Sequence, residues 1–361
     1  MKKAIHFRGL NGIRAIAALG VLFAHIMGAL SHFGLNQLGK SLNLASFGVT
    51  MFFTLSGFLI TYLLLKEKEK TDNELINIKH FYIRRVLRIW PLYFLYVSVC
   101  VIIFAFLSVD YDKSQLFFYV FLLANVPLIL QQSLPYLGHL WSIAVEEQFY
   151  LFWPWIAKVK KQKLLRYTVI LLVLLLVMKY LFFFINYKYS IQTPLKTITV
   201  TRFYCMIIGC IAAILYYRES KIIDYLSSIY FSVFSLLILF LASINKFQIS
   251  SSLIDHEIMS IITVGIILTQ IKRENYIIDL DSKPFNFIGK ISYGIYVYHP
   301  LIIFLYIKYF GVFINDIWYN YLIIFILISV TTIILSFYSF NYFEKRFIKM
   351  KDKYSRVKSR A

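Results

Sequence analysis

The chain has 361 residues, of which 60% are hydrophobic and 16% charged, and its mean hydropathy is +0.69. This composition excludes a soluble globular domain and is typical of an integral membrane protein. The net charge of +20 would suit a nucleic-acid-binding protein, but the basic residues are concentrated in alternate loops between apolar segments. That distribution is the positive-inside pattern, so we expect a lipid bilayer and no nucleic acid as partner.

Apolar segments close to membrane-spanning length recur along the chain. The predicted spans are 9–31, 43–65, 86–108, 140–157, 167–186, 198–217, 225–244, 253–271, 286–308 and 319–342. With the basic loops on the inside, both termini are cytoplasmic. The sequence therefore predicts an all-α, polytopic membrane helix bundle of about ten transmembrane helices.

Two segments fall outside this series of spans. Residues 117–130 are apolar but short and contain Pro127, so we expect a re-entrant or interfacial segment. Residues 1–348 are expected to form one membrane-embedded domain, and 349–361 a basic cytoplasmic tail.

The first span contains two ionisable side chains, Arg14 and His25. Eleven residues make about three helical turns, so both lie on one helix face about 16 Å apart along the axis. Such groups are costly inside a bilayer and are usually kept for a function. The alternative is an arginine that reaches the membrane surface and a histidine that only packs.

The third span begins with an arginine cluster, Arg84, Arg85 and Arg88. Arg84 and Arg88 are four residues apart and share a helix face. The cluster is either a topology signal at the cytoplasmic surface or a clamp for a phosphate-bearing ligand, since guanidinium groups present forked donors to polyanions.

An adjacent pair of acids, Glu146 and Glu147, lies within the fourth span. Adjacent residues on a helix point about 100° apart, so the two carboxylates need different partners. The depth of the pair is similar to that of His25, which suggests a histidine–glutamate contact between two helices. We favour Glu147 narrowly as that partner.

The remaining polar groups in the spans are Arg202, at the start of the sixth, and His299, in the ninth. Each suits packing at least as well as catalysis. The three cysteines, Cys100, Cys205 and Cys210, lie in apolar segments without the spacing of metal ligands, so we expect them to pack and expect no metal site.

Seven sequence elements, in this order, carry a resemblance to a known family. They are LNGIRAIAALGVLFAH, FGVTMFFTLSGFLI, FYIRRVLRIWPLY, HLWSIAVEEQFYLFWP, TRFYCMIIGCIAA, ISYGIYVYHPL and SFYSFNYFEKRF. Together they resemble the acyltransferase-3 family of bacterial membrane O-acyltransferases over almost the whole chain. The family's common LDGLR start is LNGIR here, with Asn11 in place of aspartate, and we expect Asn11 to serve as a helix N-cap. The hydrolase-like periplasmic domain of some members is not expected.

The resemblance implies a multi-pass enzyme of the bacterial cytoplasmic membrane. It would transfer an acyl group, usually acetyl from acetyl-CoA or another acyl-CoA as co-substrate, to a hydroxyl of a cell-surface glycan or lipid-linked glycan. No permanently bound cofactor is implied. The family's first-helix Arg and His correspond to Arg14 and His25, and its RRxxR element to Arg84, Arg85 and Arg88. Its WSxxxEEQFY element includes Trp141, Ser142, Glu146 and Glu147.

These residues suggest an order of events. The arginine cluster would bind the polyanionic CoA, with Arg14 holding the pantetheine arm. His25 would be the general base, oriented by Glu147 or Glu146. The alternative mechanism is covalent, with an acyl-histidine intermediate. Acceptor-binding or supporting roles are assigned to a third group of residues: Trp141, Ser142, Arg202 and His299.

Two other classes of function also suit a buried set of His, Glu and Arg residues. A membrane transporter would use them as a proton relay, although matching halves of the sequence are not evident. A non-catalytic glycan-export partner would retain the scaffold alone. Labelling of a glycan that depends on acetyl-CoA separates the enzyme from both.

Overall fold

The structure is a computed structural model that describes residues 5–37, 43–70, 75–244, 246–247, 253–311, 316–355 and 359–360. Its helices follow one another in chain order: α1 (Leu10–Ala29), α2 (Leu44–Glu69), α3 (Ile78–Phe106), α4 (Leu116–Val120), α5 (Asn125–Ile129), α6 (Trp141–Ile156), α7 (Lys161–Tyr189), α8 (Gln192–Thr201), α9 (Phe203–Tyr217), α10 (Lys221–Leu226), α11 (Ile229–Ser243), α12 (Asp255–Lys272), α13 (Lys283–Phe310), α14 (Trp318–Ser339) and α15 (Lys345–Lys351). A π-helical turn, Phe340–Glu344, joins α14 to α15. The strands β1 (Ile5–His6) and β2 (Ser359–Arg360) form a two-residue parallel pair.

The predicted all-α, polytopic membrane fold is confirmed. Within the described ranges, seven helical stretches are long and apolar enough to cross a membrane: Leu10–Phe33, Leu44–Glu69, Ile78–Phe106, Lys161–Tyr189, Gln192–Tyr217, Lys283–Phe310 and Trp318–Tyr354. The other three predicted spans correspond to the shorter helices α6 and α11 and to α12, which carries three charged residues. The count of ten spans, the side of the termini and the boundary at residue 348 stay predictions.

Helix α2 lies at the centre of the bundle, between α1, α9 and α12. Its contact with α9 is very close: a Cβ atom on Gly57 would lie 2.0 Å from the Met206 carbonyl oxygen, and one on Gly209 would lie 2.1 Å from that of Thr54. Small residues permit this approach, which is a common basis of helix association in membranes. By contrast, most side chains of α7 and α14 are exposed on the outside of the bundle.

The predicted sixth span is not a continuous helix. Arg202 adopts a left-handed backbone conformation (φ 45°) and separates α8 from α9. Its Nε donates a hydrogen bond of 2.9 Å to the Thr199 carbonyl oxygen, one of the groups that the helix end leaves unpaired. The apolar pattern continues through the break, which is why the sequence does not reveal it.

The segment 117–130 forms the two short helices α4 and α5, and neither is long enough to cross a bilayer. Helix α5 packs against α6 and α8. The amide nitrogen of Gln148 on α6 donates a 2.7 Å hydrogen bond to the Asn125 side chain at the start of α5. This is the arrangement expected of a re-entrant segment whose polar groups find partners in the protein.

Candidate active site

A central cavity of about 110 Å³ lies between α1, α2, α3, α6 and α13. Its polar lining is made by Arg14, Ser56, Arg85, Arg88, Ser142, Glu146, Tyr150, Ser292, Tyr293 and Tyr296. Helices α1, α3, α6 and α13, which carry predicted site residues, thus meet at one cavity although they are far apart in the sequence. We call the side with Arg14, Arg85 and Arg88 the arginine end.

At the arginine end, Arg14 is buried and held by a chain of side-chain amides. Its guanidinium donates a 3.0 Å hydrogen bond to Asn11 Oδ1, and Asn11 Nδ2 donates one of 3.0 Å to Asn286 of α13. The expected N-cap role of Asn11 is wrong, because Gly9 occupies the N-cap position and Asn11 lies inside α1. Asn11 instead orients Arg14 toward the cavity.

The other two arginines of this end come from α3. The Arg85 guanidinium lies over the rings of Phe81 and Tyr150, 5.4 and 5.0 Å from their centroids, and its buried Nε has no hydrogen-bond partner among the described residues. The side chain of Arg88 has accessible surface although it lies inside the bundle, because it lines the cavity. No hydrogen bond joins Arg88 to the described part of the chain, which leaves its donors available to a ligand.

A smaller cavity of about 40 Å³ adjoins the central one and shares Ile60, Arg85 and Arg88 with it. Its lining also includes Glu67, Arg84, Lys351 and Ser355. Arg84 differs from its neighbours, because its guanidinium forms a 3.0 Å ion pair with Glu67 and donates a 2.8 Å hydrogen bond to the Tyr354 carbonyl oxygen. The predicted cluster is therefore present, but its three members have different surroundings.

The two glutamates of α6 have different partners, as their helical spacing predicts. Glu146 lines the central cavity and accepts a 2.6 Å hydrogen bond from the Ser56 hydroxyl of α2. Glu147 accepts one of 2.8 Å from the Trp90 indole of α3, and its Oε1 has no partner among the described residues. The acidic pair thus connects α6 to two neighbouring helices.

Three histidines lie together beyond the far wall of the cavity. His25 of α1 and His299 of α13 are joined by a 2.6 Å contact between Nδ1 and Nε2, and the His139 and His299 ring centroids are 5.4 Å apart. We call His25, His139 and His299 the histidine cluster. His25 is half-buried and His299 fully buried. The predicted contact between His25 and Glu147 is wrong, because their hydrogen bonds go to His299 and Trp90 instead.

The hydrogen bonds of this cluster assign a tautomer to His25. Nδ1 of His299 lies 3.1 Å from the Ile295 carbonyl oxygen, which can only accept, so this nitrogen carries a proton. Neutral His299 then presents an unprotonated Nε2, which accepts a hydrogen bond from Nδ1 of His25. The remaining nitrogen of neutral His25, Nε2, is therefore unprotonated and can act as a base.

Ser142 and Tyr296 form the wall between the cavity and the histidine cluster. The Tyr296 hydroxyl donates a 2.8 Å hydrogen bond to the His139 carbonyl oxygen and lies 2.6 Å from the Ser142 hydroxyl. The Tyr296 ring also contacts that of His299, with centroids 5.9 Å apart. A ligand that enters at the arginine end and fills the cavity thus approaches the histidines.

Arg202 and Trp141 lie together outside the cavity lining. The Arg202 guanidinium is 5.4 Å from the centre of the Trp141 ring and donates a 3.0 Å hydrogen bond to the Ser46 carbonyl oxygen. The three cysteines are buried and free, as expected of packing residues.

The sequence did not single out His139, Tyr296, Ser56, Glu67 or Lys351. His139 could have been noticed, because it directly precedes the fourth predicted span and is a third histidine near the membrane. The others carry no such signal, since their roles depend on contacts between distant segments.

The fold and the cavity define a polytopic membrane protein with a polar internal site, cationic at one end and next to a potential base at the other. Comparison with known proteins gives the family. Residues 7–340 match the acyltransferase-3 model, described as an acyltransferase domain, and the chain belongs to that family. The predicted enzyme class, an acyltransferase, is confirmed at this level.

Curated relatives carry related names. A Staphylococcus aureus (strain COL) protein named provisionally as an O-acetyltransferase is 30% identical over 84% of this chain and 51% of its own length. The peptidoglycan O-acetyltransferase OatA of Listeria monocytogenes is 31% identical over 81% of this chain and 49% of its own. The chain spans about half the length of the curated relatives it matches. No solved structure matches it significantly.

Proposed function

We propose that the chain is a membrane O-acetyltransferase that moves an acetyl group from acetyl-CoA to a hydroxyl of a cell-surface glycan. The observation that carries the proposal is the central cavity, which leads from the arginine end to the wall of the histidine cluster. Family membership and the names of the relatives support the same reaction.

The arginine end suits the polyanionic part of the donor. Arg88 faces both cavities, and neither Arg88 nor Nε of Arg85 has a hydrogen-bond partner within the described part of the chain. Guanidinium groups bind phosphates through paired hydrogen bonds. The positive-inside pattern favours the cytoplasmic surface for this end, where acyl-CoA is present. Arg14, which lines the central cavity and not the smaller one, would contact the pantetheine arm.

The histidine cluster suits the chemistry. As the acceptor oxygen bonds to the thioester carbonyl carbon, its proton would pass to Nε2 of His25. The C–S bond then breaks, and the CoA thiolate takes the proton from His25. His299 is a positioning residue in this scheme, because it accepts the hydrogen bond that keeps the Nε2 lone pair of His25 available.

The glutamates have supporting roles in this proposal. Glu146 would balance the positive charge of Arg14, Arg85 and Arg88 around the cavity. Glu147 would hold α3 against α6 through Trp90. Neither replaces His299 as the partner of the base.

The acceptor is proposed from the relatives. Because one of them is named a peptidoglycan O-acetyltransferase, we propose a cell-wall glycan or its lipid-linked precursor as acceptor, and the bacterial cytoplasmic membrane as location. Trp141 and Arg202 form a cation–π pair outside the cavity that could contact a sugar.

The test is transfer of labelled acetyl from acetyl-CoA to glycan by the purified chain in nanodiscs. We expect labelled ester on the glycan with the wild-type chain and with His32→Ala, a control at an exposed histidine near the end of α1. Absence of label with every glycan acceptor, together with proton-coupled solute movement in liposomes, would favour the transporter instead.

A further inference from the structure

The chain after α14 turns back onto the arginine-bearing helix α3. The π-helical turn contains buried Glu344, which accepts a 3.2 Å hydrogen bond from the Ser339 hydroxyl. Ser339 in turn accepts a hydrogen bond of 2.9 Å from Tyr298 of α13. Helix α15 then packs on α3. We call Lys345–Ser355 the C-terminal segment.

Arg84 attaches the end of this segment. Its guanidinium bridges Glu67 of α2 and the carbonyl oxygen of Tyr354, and the Tyr354 ring lies edge-on to that of His80, with centroids 5.6 Å apart. Ser355 Oγ donates a 3.2 Å hydrogen bond to the Lys351 carbonyl oxygen. These contacts fix the backbone from Lys351 to Ser355.

Lys351 and Ser355 thereby become part of the smaller cavity, beside Arg85 and Arg88. The acid in its lining is Glu67, which is already paired with Arg84. Three cations, Arg85, Arg88 and Lys351, are left around one small cavity without an ion pair to a described residue. Like charges at such a site repel one another, and an anion bound between them would reduce the repulsion. The neighbouring lysines Lys349 and Lys353 are exposed instead.

We propose that the C-terminal segment is the third wall of the donor's phosphate site, beside α2 and α3. Lys351 contacts phosphate, and Arg84 is a positioning residue that holds the segment in place. The inference rests on the proposed function, because the phosphates are those of an acyl-CoA. A phospholipid headgroup offers the same chemistry, so the test separates the two sources.

The experiment measures CoA affinity by calorimetry on the full chain in neutral-lipid nanodiscs. We expect Lys351→Ala to weaken CoA binding roughly tenfold, the equivalent of one charge-assisted hydrogen bond. Lys351→Arg should restore most of the affinity. Lys349→Ala and Lys353→Ala remove the same charge from the same segment, and we expect less than about a twofold change for each, since both are screened by solvent.

Arg84→Ala tests the positioning role by a different readout. It should speed amide hydrogen exchange of residues 345–355, which Lys351→Ala should not do. The double variant, Arg84→Ala with Lys351→Ala, should bind CoA no more weakly than Arg84→Ala alone. Loss of Arg84 already removes Lys351 from the phosphate site.

Equal affinity of Lys351→Ala and Lys353→Ala, with Arg88→Ala weakened, would overturn the inference and leave the proposed function standing. A defect of Lys351→Ala that appears only in nanodiscs with anionic lipid would assign the site to a headgroup and overturn it too. If the wild-type chain binds no CoA, both the inference and the proposed donor fail.

Discussion

The two ends of the proposed site, the arginine end of the cavity and the histidine cluster beyond its far wall, differ in how their polar groups are bonded. The arginine end holds fixed charge, and the donors of Arg88 and Nε of Arg85 have no hydrogen-bond partner among the described residues. In the histidine cluster, both nitrogens of His299 and Nδ1 of His25 have hydrogen-bond partners, and the order of those bonds assigns one tautomer to His25. The first arrangement suits binding of an anion, and the second suits directed proton transfer. Substitutions at the two ends should therefore affect different kinetic constants.

The largest effect is expected for His25→Ala. Loss of a general base costs about 10²–10⁴ in rate, so kcat for acetyl transfer should fall at least about a hundredfold. CoA affinity should stay near that of the wild type, because His25 is outside the cavity lining. Calorimetry and label transfer on the same preparation check both parts, with His32→Ala as the control. Wild-type kcat in His25→Ala would remove it from the mechanism.

A smaller effect in the same constant is expected for His299→Ala. Without its acceptor, Nδ1 of His25 is no longer held in the protonated state, so the fraction of His25 with a free Nε2 falls. We expect kcat to fall roughly tenfold, about 1.4 kcal/mol in the barrier, with KM for acetyl-CoA unchanged. Nitrogen NMR of labelled histidine would report the tautomer. A change in KM alone would contradict the positioning role.

At the other end, Arg88→Ala should raise KM for acetyl-CoA roughly tenfold and leave kcat near normal. The salt dependence of donor binding should become weaker, since one cation is lost. Arg88→Lys should recover only part of the affinity, because a lysine cannot form the paired hydrogen bonds. Unchanged KM together with altered membrane topology would show that the cluster is a topology signal.

The smallest effect on transfer is expected for Glu147→Gln, because the amide oxygen can still accept the hydrogen bond from Trp90. Transfer should stay within about threefold of the wild type. Glu146→Gln should lower the melting temperature more, since it removes negative charge beside Arg14, Arg85 and Arg88. A folded but inactive Glu147→Gln would restore the catalytic role that the sequence suggested for it.

The comparison of the two ends also shows what a sequence can predict. Helical periodicity predicts that Arg14 and His25 share one face of α1. It also predicts different partners for Glu146 and Glu147, and the structure confirms this second prediction. Hydropathy gives the depth of each residue in the membrane. Depth alone does not determine which helices are neighbours. For this reason the sequence predicts Glu147 as the partner of His25, whereas the partner in the structure is His299 of α13.

The residues missed by the sequence depend on long-range packing. By composition, Lys351 belongs to the predicted basic tail, and its place beside Arg88 follows from the π-helical turn and from Arg84. The break at Arg202 is hidden because the apolar pattern runs through it. Such features need the tertiary structure.

The connection between the two ends is the central claim, and blocking the cavity tests it most directly. Ser142 lies in the wall between the cavity and the histidine cluster, and cysteine is close to serine in size. The native cysteines are fully buried and are not among the described residues that line the cavity, whereas Ser142 faces it. A small thiol reagent that enters the cavity should therefore modify Ser142→Cys selectively, with the wild-type chain as control. We expect modification to stop acetyl transfer while CoA still binds, and reductant to restore transfer. Transfer at the unmodified rate by fully modified Ser142→Cys would contradict the account.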